Sequence, residues 1–304
     1  MIKPRSSFGG ENKRKVKTPE KESYKPLQTA SPKSFVERNT FIGLWAVFRD
    51  WLFIIGSVSI SMTLDHWLAW LVCVWLIGVI QFSLAEAVLH EASHYNLFRS
   101  RRLHHYLQFL YAWPFLQTMS DYQVEHLNHH KYLMSDKDQT TADYKIYGLA
   151  NRNPNVFFIW FIKPFTFFPT LHYLRHGNAA LDRKSWLQLV LFWVPLVVIC
   201  WSFGQMHNLL IYWIVPLLWV YPILNYWSEI EEHYNTRTGS RSNIGKVLNF
   251  FTHNEGYHSV HHRYPTIPFY NLPQAHIAFI SPDDDISTGF IDTYRQIRSK
   301  YKKD

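Results

Sequence analysis

The chain has 304 residues, 47% apolar and 17% aromatic, with a formal net charge of +8 and two cysteines. So few cysteines give no basis for a disulfide-stapled fold or a cysteine-built zinc site, while 13 Trp, 18 Tyr and 22 Phe favour a membrane interface. Mean hydropathy is slightly negative because polar stretches dilute long oily ones, so the segments decide the class.

Residues 1–40 carry ten Lys or Arg against four Glu, with scattered Ser, Pro and Gly and no apolar run of signal-peptide length. They read as a basic, disordered tail and not as a secretory signal. A first span follows at about 44–64, with Arg49 and Asp50 near its start. A second, about 67–88, holds an uncharged run from Trp67 to Leu84; only Asp65 and His66 separate the two, which makes a hairpin. A second hairpin is expected from spans at about 186–203 and 209–227, joined by "GQMHN". Runs of this length cross a hydrocarbon core, and Pro195, Pro216 and Pro222 bend such helices without forbidding them.

Charge placement tests the reading independently. No Lys or Arg lies between Arg49 and Arg99 or between Lys184 and Arg237. Two hairpins dipping from one face explain both gaps, and put both termini and the polar segments on the cytoplasmic side. Residues 156–174 and 104–118 are oily but interrupted by Lys and Pro or by polar residues, and read as interfacial helices, with a re-entrant segment as the alternative for 156–174. Residues 281–304 read as a polar tail. The expected fold is an all-α integral membrane protein, with about four transmembrane helices in two hairpins and a cytoplasmic helical cap, residues 41–280 forming the domain.

The cap carries the chemistry. "HEASH" puts His90 and His94 four apart, on one face of a continuing helix. "HLNHH" places His126, His129 and His130 in the pattern H-x-x-H-H, and "HSVHH" repeats it with His258, His261 and His262. One such match is expected by chance roughly 0.05 times in this chain, so two are a signal. On a helix the adjacent pair can face two different ions, and eight histidines exceed what one ion holds. Neutral imidazole suits iron, zinc, copper or nickel.

Helix rise brings the segments together. His90 lies 23 residues beyond Trp67 and His233 lies 24 beyond Leu209, about 35 Å in each case, past a core of about 30 Å. His233 therefore joins the set as a ninth candidate ligand, with Glu229 one turn earlier as a further one. Glu91, Glu125, Glu232 and Glu255 neighbour the histidines and are candidate acceptors for their ring N–H groups. His253 and His276 read as bystanders. A metal transporter is the competing class, but the uncharged spans lack the intramembrane ligands it needs.

These three segments resemble the histidine boxes of the membrane-bound fatty acid desaturase/hydroxylase superfamily, in order and separated by the two hairpins. "EHYNTRT", "HHRYPTIPFYNLPQAH" and the acidic "SDKDQTTADY" resemble further segments of that family. The resemblance covers most of residues 41–280. It implies a non-haem di-iron centre that uses dioxygen, with His90, His94, His126, His129, His130, His233, His258, His261 and His262 as ligands. In acyl-CoA desaturases the place of Glu229 is an Asn holding a water, so Glu229 departs from the pattern. The implied activity is desaturation of an aliphatic chain, a fatty acyl group first, with hydroxylation, or a carotenoid, sphingolipid or amino-acid derivative, as the alternative.

The chain has no haem-binding H-P-G-G, no G-x-G-x-x-G and no cysteine set for an iron–sulfur cluster. A separate donor of ferredoxin or cytochrome b5 type, with its reductase, is implied. The positive charge suits an acidic donor or anionic lipid headgroups. The expected partners are the bilayer, that donor and a hydrophobic substrate, with no nucleic acid.

Overall fold

The structure is a computed structural model that describes residues 30–176 and 181–299. The greater part of the predicted basic tail, residues 1–29, lies outside the described residues. The elements that position the site and its surroundings are α1 (Thr40–Leu64), α2 (Trp67–Ser93), α3 (Met119–Tyr132), α4 (Gln139–Tyr147), α5 (Phe168–His176), α6 (Arg183–Ser202), α7 (Met206–His233), β1 (Arg241–Asn243), α8 (His258–Arg263), α9 (Leu272–Phe279), β2 (Asp285–Ser287) and α10 (Phe290–Arg298).

Four helices, α1, α2, α6 and α7, are long and apolar enough to cross a membrane. Two of them run further than the hydropathy predicts: α2 continues to Ser93 and α7 to His233, both into polar sequence. The Asp65 turn between α1 and α2 takes left-handed backbone, φ 42°, and returns its N–H to Ser61 O, closing the first hairpin. Both α2 and α7 contain a π-helical turn, Ser83–Val88 and Leu210–Ile214, which re-aims the residues that follow.

The two long helices pack closely because a glycine faces a valine. A Cβ on Gly78 would lie 2.4 Å from Val220 Cβ, so only a bare backbone admits this approach. The charges inside α1 are neutralised locally: buried Asp50 accepts from Arg49 at 2.8 Å and from Ser83 Oγ at 2.7 Å, and lies 2.9 Å from His253 Nε2. Arg49 also donates to Phe250 O. His253 thus ties the third histidine segment to the first span instead of joining the histidine cluster.

Segments set apart from the domain by sequence alone pack onto it. Phe35 stacks edge-on against Phe279, and Arg38 donates to Asn96. Residues 281–299 contribute β2, which pairs in parallel with β1, and α10, whose Ile297 is buried in a cluster with Trp160, Tyr226 and Ile230. These contacts involve strands of three residues and one short amphipathic helix, too brief to register as elements in the sequence pattern. The oily 156–174 stretch is broken into short turns before α5, and its Trp160 is buried beside Trp227 and Phe290.

Candidate metal centre

The ends of α2 and α7 meet α3 and α8, so four elements aim histidines at one place. His90 and His94 come from the end of α2, His126, His129 and His130 from α3, His233 from the last residue of α7, and His258, His261 and His262 from α8. Their ring nitrogens form two groups: His90, His94, His126, His130 and His261 in one, and His129, His233, His258 and His262 in the other. Each H-x-x-H-H segment divides between the two.

In the first group His94 and His130 Nε2 each lie 2.9 Å from His126 Nε2, and His261 Nε2 lies 3.1 Å from His130 and 2.8 Å from His90. In the second, His233 Nε2 lies 3.1 Å from His129 and 3.0 Å from His258, which is 2.9 Å from His262. Proton bookkeeping decides what these contacts mean. His233 Nδ1 lies 2.8 Å from Gly239 O, an acceptor only, so Nδ1 carries the hydrogen. Asp138 fixes His129 in the same way at 3.0 Å. With Nδ1 so occupied, the two Nε2 atoms, 3.1 Å apart, are the nitrogens left to face a shared metal ion.

Burial disfavours charge on most of these rings. Burial, then neighbouring imidazoles, push His126, His258, His261 and His262 well below the ordinary histidine value, and His94 and His130 to about 2 and about 3. Burial opposes charge on Asp138 as well. The His129 hydrogen bond and the Met134 and Thr140 amides outweigh it and hold that carboxyl below its usual value.

Spacing tests which ion fits. With metal–nitrogen bonds of about 2.1 Å, ligands at right angles lie about 3.0 Å apart, and tetrahedral ones about 3.4 Å. The observed 2.8–3.1 Å matches right angles. Five and four imidazoles so arranged are compatible with two metal ions, one to each group.

Glu229 is outside both groups. It sits one turn before His233, but its carboxylate accepts from Tyr147 Oη and clusters with Asp143 and His172 within 4.8 Å. Of the four glutamates expected as acceptors, Glu255 lies 3.6 Å from His90 Nδ1 and Glu232 3.5 Å from His258 Nε2. Glu91 instead accepts from the Phe269 amide at 3.0 Å, and Glu125 lines a cavity beside the histidines. His276 packs on Tyr257, away from the centre.

Three kinds of supporting residue escaped the sequence reading. Asp138 lies within the acidic stretch after the second box, which was a usable signal. Arg241, fully buried, donates to the carbonyls of Glu231 and Tyr234 and so caps the end of α7 beside His233. Glu86 accepts from Tyr122 at 3.2 Å and Tyr221 at 2.5 Å. Nothing local in the sequence announces the last two.

Comparison with known proteins agrees with this arrangement. Residues 65–287 match the family model described as fatty acid desaturase. The chain is 26% identical over 272 residues to a dihydrorhizobitoxine desaturase of Bradyrhizobium elkanii, covering 77% of this chain and 74% of that one. It is 26% identical to a sphingolipid delta(4)-desaturase/C4-monooxygenase of Homo sapiens over 64% of this chain and 61% of the other. It is also 24% identical to an sn-1 acyl-lipid omega-3 desaturase (ferredoxin) of Nostoc sp. (strain 36), over 82% and 78%. The matched region contains all three histidine segments and His233, and the chain belongs to the fatty acid desaturase family.

Proposed function

We propose that this chain is a membrane-embedded, dioxygen-dependent desaturase that holds two iron ions with the nine histidines His90, His94, His126, His129, His130, His233, His258, His261 and His262. The observation that carries the reading is the convergence of their Nε2 atoms in two groups, with nearest neighbours 2.8–3.1 Å apart. When bound, the irons supply the reduction of dioxygen that makes an unactivated C–H bond reactive. Overall, a –CH2–CH2– unit, O2, two electrons and two protons give –CH=CH– and two waters. The chain's own residues orient and desolvate: Asp138 and the Gly239 carbonyl fix ring tautomers, and Arg241 fixes the end of α7.

Electrons come from a separate donor, and the ferredoxin in the name of the Nostoc relative supports that class. The spans and the gaps in basic charge support a cytoplasmic site with both termini on the same side. A fatty acyl group is the first substrate that the family suggests. The adjacent cavity is lined by carboxylates, histidines and tyrosines together with Val124. A non-fatty-acid metabolite is the alternative substrate class, and the Bradyrhizobium relative, named a dihydrorhizobitoxine desaturase, is the ground for keeping it.

The reading is checked by expressing the full chain with a reductase and ferredoxin, counting metal, and profiling metabolites by mass spectrometry. About two irons per chain, with a product two mass units lighter than its precursor that His261→Ala abolishes, is the expected result. A gain of sixteen mass units assigns hydroxylation instead. Zinc in place of iron, or unchanged metabolism with an active His261→Ala protein, overturns the oxygen chemistry.

A further inference from the structure

A second cavity, of about 600 Å³, lies where the loop after α4, the chain just past α7 and the end of α10 meet. That is the size of a small-molecule site. None of its described lining residues is Asp or Glu, while Arg152 and Arg298 both border it. Both arginines are exposed, and neither has an ion-pair partner among the described residues. The side-chain amides of Asn151 and Asn153 and the Tyr294 hydroxyl also line it, and make no hydrogen bond among the described residues. Asn155 accepts from the Phe158 amide at 3.0 Å with its side-chain oxygen, which leaves its NH2 to donate. Asn235, also in the wall, donates to the Gln296 carbonyl at 3.0 Å and the Ser299 carbonyl at 2.6 Å, so two carbonyls at the negative end of α10 are already bonded.

The neighbouring surface says what kind of anion such a donor-rich cavity takes. Phe157 forms part of the wall and is 56% exposed, and Phe158, Ile162, Phe165 and Phe167 follow it on the surface. This row descends along the spanning helices: the Phe165 ring packs on Trp227 of α7 at 5.6 Å and on Trp75 of α2 at 6.3 Å between centroids. Trp75 stands about four helical turns before His90 on α2. Exposed phenylalanines at that depth face acyl chains and not water. The arginines lie at the polar end of the row, the level of lipid headgroups.

An arginine fork meets a phosphate with two parallel N–H donors, and amide and hydroxyl donors complete such a site. With no carboxylate in the described wall, a choline or ethanolamine ammonium finds no partner there, which favours a headgroup of net negative charge. We propose that this cavity binds the phosphate of an anionic phospholipid between Arg152 and Arg298, with the acyl chains lying along Phe157 and the phenylalanines that follow it. The site requires that the spans be embedded in a bilayer and is independent of the reaction at the histidines.

The test titrates the full-length protein in detergent micelles with dioleoyl phosphatidylglycerol, dioleoyl phosphatidylcholine and glycerol 3-phosphate, and counts bound ligand by native mass spectrometry. Phosphatidylglycerol is expected to bind at least ten-fold more tightly than phosphatidylcholine, and Arg152→Gln and Arg298→Gln each to weaken it about ten-fold. Arg295→Gln removes the same charge from one turn earlier on α10, outside the cavity wall, and leaves the affinity unchanged. Phe157→Ala weakens phosphatidylglycerol but not glycerol 3-phosphate. Thermal midpoint and iron content accompany each variant, and either arginine variant alone decides the matter if the other misfolds.

Equal affinity for the two lipids, or a loss in Arg295→Gln as large as in Arg152→Gln, reduces the effect to diffuse surface charge and overturns the site. Glycerol 3-phosphate binding as tightly as phosphatidylglycerol assigns the cavity to a soluble phosphate and overturns the lipid assignment. A chain that makes no alkene in the metabolite assay yet keeps this selectivity sinks the reaction and leaves the lipid site standing.

Discussion

His129 and His130 are neighbours in the chain and belong to different imidazole groups, because adjacent positions on a helix point about 100° apart. His126 and His130, one turn apart, stay together, as do His258 and His262. Which group a histidine joins is thus set by helix phase, and which ring nitrogen it offers is set by the partner behind it. Asp138 is the strongest such partner, accepting from His129 Nδ1 at 3.0 Å while two backbone amides hold its carboxylate ionised. Asp138→Asn keeps the shape and removes the charge, and should weaken metal affinity by ten- to a hundred-fold. Competition with a coloured chelator for iron or cobalt measures it, and an unchanged affinity would show that the Gly239 and ring contacts suffice. The nine histidines were legible in the sequence because their spacing is local to three segments and one helix end. Asp138 was only partly so, and Glu86 not at all, since its role depends on tyrosines 36 and 135 positions away.

Helices α2 and α7 deliver His90 and His233 to the same height, so the centre depends on how those two helices cross. Gly78 faces Val220 at that crossing, with no room for a side-chain carbon. Gly78→Ala is expected to cost about 1–3 kcal/mol through overpacking, and to reduce iron per chain because both ligand-bearing ends move apart. Gly56→Ala in α1 is the control, since a Cβ there meets nothing within 4 Å. Thermal midpoints in detergent and metal content decide it; a Gly78→Ala protein as stable and iron-rich as the Gly56→Ala control would remove the crossing from the account. Span existence was readable from hydropathy, whereas the extensions to Ser93 and His233 were readable only through the demand that histidines meet. The folding of residues 281–299 onto the domain was not, because it rests on three-residue strands and on Arg241 reaching Gln296 across 55 positions.

At the scale of the whole molecule, the outer faces of α1 and α6 expose Trp45, Leu52, Ile55, Trp186, Leu191 and Trp201, a surface suited to lipid and not to water. Both hairpin turns, at Asp65 and at Gly204–Gln205, are short, while the histidine-bearing cap and the basic residues occupy the other ends of the spans. Two hairpins entering from one side satisfy this arrangement, since a cap assembled from the ends of α2 and α7 cannot form if those ends lie on opposite faces. The concentration of basic residues at that end is the ground on which a cytoplasmic cap is proposed. Single cysteines test this on intact cells, in a chain carrying Cys73→Ala and Cys200→Ala. Thr63→Cys and Gln205→Cys are expected to react with a membrane-impermeant maleimide added outside, and Arg102→Cys and Arg152→Cys only after the membrane is permeabilised. Labelling of all four from one side would deny that the helices cross, and labelling of Thr63→Cys and Gln205→Cys from opposite sides would break the paired hairpins on which the shared height of His90 and His233 depends.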